Sequence, residues 1–267
     1  MFRIILLLCK LLLVLPTLSV QAAGFDHSGW GNLLKEHVRV FENGKVSQVD
    51  YAGMAGKRDA LDDYLRKLSA VGRDEFDAWS MDEQLAFLLN AYNSWTVELI
   101  LTKYPDLDSI KDLGSWFESP WKKDFTHLLG KKRSLDDIEH GLIRGSGRYN
   151  DPRIHFAANC ASIGCPALRA EPYLGADLRR QLDEATNLFL EDRSRNRLDG
   201  RVLKVSSIFK WYRGDFEKGW QSVESLEQFL ADHAEDLGLT KEETEQVLTG
   251  KIKIEFLSYD WKLNSIL

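Results

Sequence analysis

The stretch from Ser80 to Tyr104 limits what this chain can fold into more than any other. Ser80 and Glu83 have the spacing of a capping box, and Gln84-Leu-Ala-Phe-Leu-Leu-Asn-Ala-Tyr-Asn-Ser-Trp-Thr-Val-Glu-Leu-Ile-Leu follows. A helix of that composition is apolar nearly all round, so it must run through a core rather than along a surface. The pattern predicts a buried helix to about Tyr104, stopped by Pro105. Asn90 and Asn93 are then buried amides that need hydrogen-bond partners.

The flanking signals mix helices and strands without regular alternation. Leu33 to Phe41 reads as a short helix, Asn43-Gly44 as a turn, and Val46 to Tyr51 as a strand. Further helices are expected at Asp59–Leu68, at Leu135–Arg144 with Ser134 and Asp137 as caps, and at Asp177–Glu191. Two more fall at Leu226–Ala234 and Lys241–Leu248, the latter with a Thr240 and Glu243 capping box. Arg153 to Ala158 is a short strand candidate, Asp199-Gly200 marks a hairpin, and Lys251 to Ser258 alternates as a final strand. Hairpins rather than crossovers favour an α+β class over a doubly wound sheet: one domain, with the apolar helix packed against a small, mostly antiparallel sheet and surrounding helices.

Residues 1–22 stand apart from that domain. Arg3 and Lys10 supply positive charge, Leu11 to Val20 is largely apolar, and Val20-Gln21-Ala22 ends in small residues, as a secretory signal does before cleavage. A retained anchor from Ile4 to Val20 would bury Lys10 at a cost of roughly 2.5 to 3.5 kcal/mol. The expectation is an exported chain, periplasmic or secreted, that begins at Ala23 as a single domain of residues 23–267. No later stretch reaches the ~18 uninterrupted apolar residues of a membrane span. A net charge of -6, with basic residues scattered among acidic ones, leaves no footprint for nucleic acid. No cofactor motif is legible. Once Cys9 leaves with the signal, Cys160 and Cys165 remain, an even pair of disulfide candidates in an oxidising compartment.

Several stretches, in order, carry a resemblance. They are Phe87-Leu-Leu-Asn-Ala-Tyr-Asn, Leu135-Asp-Asp-Ile-Glu-His, Asp151-Pro-Arg-Ile-His-Phe-Ala-Ala-Asn-Cys with Cys165-Pro166, Trp211-Tyr212, Asp215-Phe216 and Tyr259-Asp-Trp-Lys-Leu-Asn. Together they resemble the domain-of-unknown-function 547 family over most of Tyr51 to Asn264. The resemblance implies one fold and assigns no reaction.

Chemistry is concentrated between His155 and Pro166. Gly164 permits a tight turn and Pro166 fixes its exit, which brings Cys160 and Cys165 close enough to bridge. Another reading makes Cys160 a thiolate nucleophile of a hydrolase or transferase, with His155 or His140 as base and Glu139 or Asn93 to orient the ring. A Cys2His2 zinc site with His140 and His155 matches no ligand spacing, so no metal is assigned. The plain alternative for each histidine is a hydrogen-bonded structural residue. Eight tryptophans could stack on sugars, but Trp79, Trp95, Trp116, Trp121, Trp211 and Trp261 lie beside apolar runs, where indoles usually anchor a core. The open classes are therefore a thiol enzyme and a noncatalytic envelope protein that binds an unnamed ligand or protein partner.

Overall fold

The structure, a computed structural model, describes residues 24–115 and 118–266. The proposed signal segment, Cys9 and Trp116 lie outside those residues. The apolar stretch forms the helix Met81–Leu101, opened by Ser80, whose hydroxyl accepts from the Glu83 N–H at 3.1 Å. Phe87, Leu89, Ala91 and Ile100 on it are fully enclosed. Truncating a ring such as Phe87 there would cost about 3–5 kcal/mol. Around this helix pack Ser28–His37, Arg58–Ala70, the Ile110–Leu113 turn and the first half of Leu178–Glu191.

A smaller apolar cluster sits beside the first. Phe156, Phe189, Phe209, Phe216 and Phe229 meet there edge to face, tilted or, for Phe156 on Phe229, stacked, with ring centroids 4.8–6.4 Å apart. The helix Leu178–Glu191 joins the two, giving Leu178 and Leu182 to the first and Ala185 and Phe189 to the second. Its stripe of large residues every three or four positions makes this possible.

The strands form three small sheets. β1 (Val38–Phe41) pairs antiparallel with β2 (Val46–Val49), and β3 (Thr126–Leu128) with β4 (Lys131–Arg133). β5 (Arg197–Asp199) and β6 (Val202–Val205) form the expected hairpin over Asp199-Gly200, where Gly200 takes a left-handed φ of 61°. β7 (Lys253–Phe256) joins β6 in parallel, Leu203 opposite Ile254, after a crossover through the helices Leu226–Asp232 and Lys241–Leu248. The fold is α+β and a single domain. Among the described residues, no helix is long and apolar enough to cross a membrane.

Two local expectations change. The helix expected from Leu33 starts earlier, at Ser28, and ends at His37, because β-branched Val38 and Val40 continue as a strand paired to β2. The strand expected at Arg153–Ala158 is a 3-10 turn, Pro152–Phe156. Asp151 caps it by accepting from the Arg153 N–H at 3.0 Å, and Pro152 occupies the first position, where a missing N–H costs nothing. His155 is therefore not on a sheet. The turn sits between the two apolar clusters, with Ile154 in the first and Phe156 in the second.

Candidate functional site

The two buried amides of the central helix position the site. Asn93 Nδ2 donates to the Ala157 carbonyl at 3.0 Å, and its Oδ1 accepts from the Asn159 N–H at 2.8 Å. Asn90 does the same one turn earlier, donating to the Tyr173 carbonyl at 2.7 Å and accepting from its N–H at 3.0 Å. Each side chain thus offers an extended segment the pair of bonds that a neighbouring strand would offer. The helix thereby holds the backbone on either side of the cysteine loop.

The loop from Asn159 to Pro166 is closed at its base by Asn159, whose Nδ2 donates to the Pro166 carbonyl and whose Oδ1 accepts from Ala161 N–H. Ala161 is the left-handed residue, φ 60°, a conformation costing an L-residue about 1–2 kcal/mol. Gly164 serves differently from what its place in a turn suggests. A Cβ there would lie 2.9 Å from the Tyr259 ring, so the residue is small to admit that ring. The C-terminal segment zips onto the loop through Ile163 N–H to Lys262 O, Gly164 N–H to Asp260 O and Asn264 N–H to Ala161 O, at 2.8–3.1 Å.

The sulfurs of Cys160 and Cys165 lie at disulfide distance, with Cα atoms 6.2 Å apart, inside the range a bridge requires. Cys165 is 2% exposed, whereas Cys160 is half-buried and faces a cavity. Tyr259 Oη is 3.2 Å from the Cys160 sulfur and donates to Cys165 Sγ at 3.1 Å, and Ser162 Oγ lies 3.3 Å from each sulfur. Among the described residues, neither imidazole hydrogen-bonds to Cys160.

The cavity holds about 180 Å3 and is bordered by Cys160, Cys165, His155, His140 and Glu139. Tyr92, Tyr212, Tyr259, Trp121, Trp211 and Trp261 wall it. Trp261 is the hub of the mouth, with ring centroids 4.5 Å from Tyr259 and 5.6 Å from both Trp211 and Trp121. The expectation that the tryptophans anchor the core holds for Trp79, and for Trp95 and Trp121, which pack against the larger cluster, but not for Trp211, which is 46% exposed.

His155 is fixed from outside the residues expected to orient it. Its Nε2 is 2.8 Å from Asp215 Oδ2, and its ring stacks on Tyr212 at 3.8 Å between centroids. Burial pushes the imidazole pKa down despite the pull of Asp215. Asp215 is buried, which opposes ionisation, yet donors from His155, Arg144 and Lys218 outweigh that and hold its carboxyl well below the usual range. Neither Glu139 nor Asn93 orients the ring: Asn93 spends its amide on backbone, and Glu139 lies 3.8 Å from His140 Nδ1.

Glu139 and His140 sit on the widened helical turn Asp137–Ile143, a π-type segment capped as expected by reciprocal Ser134 and Asp137 bonds. Such turns are frequent at functional sites. Glu139 is 7% exposed and faces the Tyr92 and Tyr212 phenols, whose pKa values are raised by burial first and then by its charge. Burial also raises the Asp136 carboxyl beside it.

Asp215, Tyr212 and Tyr259 are the site residues that the sequence reading did not assign. Their signal lay in the Trp211-Tyr212, Asp215-Phe216 and Tyr259-Asp-Trp stretches. A larger cavity of about 470 Å3 borders Val40, Leu168, Leu188 and Phe189. Its charged groups are paired, Lys45 with Glu191 and Arg169 with Glu171 and Glu184, and among the described residues no cysteine or histidine lines it. Among the described residues, no three His, Cys, Asp or Glu side chains group as metal ligands would.

Residues 76–190 match the family model described as protein of unknown function, DUF547. Over that segment the chain matches this family, and the segment contains Asn90, Asn93, Glu139, His140, His155 and both cysteines. No curated protein and no solved structure matches the chain.

Proposed function

We propose that the domain is a noncatalytic, exported binding protein whose cavity takes a small ligand and whose Cys160–Cys165 pair is a structural bridge beside it. One observation carries this reading: Cys160 is engaged by Cys165 and two hydroxyls, while both imidazoles are committed elsewhere, His155 to Asp215 and His140 to Arg144. What remains free in the cavity is aromatic surface and carboxylate, which binds rather than attacks. Export is supported by the signal pattern of residues 1–22 and by a cysteine pair suited to an oxidising compartment. N-terminal sequencing should read Ala23 in the exported fraction. A full-length chain in the membrane fraction would refute export.

The test of binding is a small-molecule fragment screen that follows the indole N–H resonances of Trp121, Trp211 and Trp261. Fragments that shift these signals equally in the parent chain and in the C160S/C165S double variant support the reading. A turnover that requires free Cys160 would replace it.

A second reading is favoured by the His155–Asp215 pair, an oriented imidazole bordering the cavity that Cys160 also faces. In it a dithiol reduces the bridge and is itself oxidised to a disulfide; His155 takes the Cys160 thiol proton, the sulfur attacks an acyl carbon to form a thioester, and the imidazolium returns the proton to the departing alcohol or amine. Alkylation of the reduced protein decides between them. A thiol titrating well below the ~8.5 of a free cysteine supports the nucleophile, and an ordinary value removes it.

A further inference from the structure

The cavity bordered by Glu139 has an unbalanced charge. Asp136 and Glu139 line it, and among the described residues no lysine or arginine does. Among the described residues, Glu139 has no lysine or arginine within ion-pair distance, and its nearest basic group is His140 Nδ1 at 3.8 Å. That nitrogen already faces Arg144 Nη1 at 2.7 Å. A guanidinium can only donate, so Nδ1 is the acceptor of that bond and cannot also donate to Glu139. His155, for its part, is turned to Asp215, and burial pushes its pKa down. Glu139 is thus an enclosed carboxyl group with phenols around it and, among the described residues, no lysine or arginine in contact, and an enclosed carboxylate ordinarily carries a desolvation cost that a positive charge in contact would offset.

The walls supply the rest of a cation site. The indoles of Trp121, Trp211 and Trp261 and the Tyr259 ring converge at the mouth, and the negative face of an aromatic ring attracts an ammonium within about 6 Å. Trp261 already holds one: Lys111 Nζ lies 3.8 Å from its centroid. A volume of about 180 Å3 suits a head group rather than a peptide.

We propose that this cavity binds a free alkylammonium compound, its cationic head on Glu139 and its alkyl groups against the Trp211–Trp261–Tyr259 wall. The inference rests on the binding reading above and names the ligand class for it. A phosphate-linked head group fits less well, because the anion would face Asp136.

Choline, phosphocholine and the neutral isostere 3,3-dimethylbutan-1-ol are the probes, followed by tryptophan fluorescence and indole N–H shifts of the whole chain. Choline should saturate and bind at least ~10-fold tighter than the isostere, and phosphocholine should be weaker than choline. E139Q should erase the preference for the charged probe. If E139Q melts early, W211A serves instead: the indole is largely exposed, so its loss should weaken choline several-fold at an unchanged melting temperature. Equal binding of the isostere, a preference retained in E139Q, or no binding of choline overturns the proposal. The underlying reading fails separately, when no fragment of any charge moves the three indole signals.

Discussion

Replacing Asn93 by Ala tests whether one amide couples the core to the site. In the folded protein its side chain satisfies the Ala157 carbonyl and the Asn159 N–H, both in a buried segment. Ala would leave both groups without a partner, in a space too enclosed for easy hydration. Each such orphan costs about 1–3 kcal/mol, so the substitution should cost ~2–6 kcal/mol. For a domain of this length that is a fall in melting temperature of the order of 10 °C. Urea unfolding gives the magnitude, and hydrogen exchange gives the place. In N93A the amides from Asn159 to Ile163 should exchange faster, because the loop loses its anchor to the helix. N90A is the control: it orphans the two backbone groups of Tyr173 and should cost a similar amount, yet leave exchange in the cysteine loop unchanged. A loss below about 0.5 kcal/mol in N93A, or equal loosening of the loop in both variants, would refute the assignment.

Three further outcomes are expected. Intact mass after alkylation should show no free thiol in unreduced protein, and C160S/C165S should lower stability by about 2 kcal/mol, the chain-entropy value for so short a loop; two alkylated cysteines before reduction would contradict this. G164A should cost about 1–3 kcal/mol and displace Tyr259 from the sulfurs, since the new Cβ meets the ring at 2.9 Å; an unchanged unfolding midpoint would show that the ring yields freely. His27 is buried against Tyr64, and burial lowers its pKa from 6.5 to about 4. The folded state therefore resists protonation: stability from this group is complete above pH 6.5 and falls as pH drops towards 4, by about 3 kcal/mol at most. A His27 NMR titration near 6.5 would exclude that.

What could be read from the sequence follows from how local each signal is. The Met81–Leu101 helix, the Asp199-Gly200 hairpin and the Thr240 capping box were legible because composition, turn chemistry and caps act over a few residues. The buried fate of Asn90 and Asn93 was legible for the same reason, since an amide inside an all-apolar helix must find a partner. Their partners were not, because they lie 64 to 83 residues away and are backbone groups, which any sequence supplies. The Arg153–Ala158 segment was misread as a strand on its alternation of Ile154 and Phe156. Asp151-Pro152 is a start signal for a helical turn, and burying Ile154 and Phe156 in two different clusters produces the same alternation as two faces of a sheet.

Asp215 shows the same limit from the side of the site. Glu139 and Asn93 are the groups expected to orient the imidazole, whereas the carboxylate that His155 meets lies 60 residues along the chain, in a segment with no local sign of that pairing. The small apolar cluster decides this. Packing Phe156 against Phe209, Phe216 and Phe229 draws the turn that carries His155 onto the segment that carries Asp215. With His155 tied to Asp215 by that packing and Asn93 held by backbone, Glu139 is left facing the cavity among phenols. That, among the described residues, no lysine or arginine pairs with it follows from where the two apolar clusters place their neighbours, and nothing in the Glu139-His140 dipeptide itself announces it.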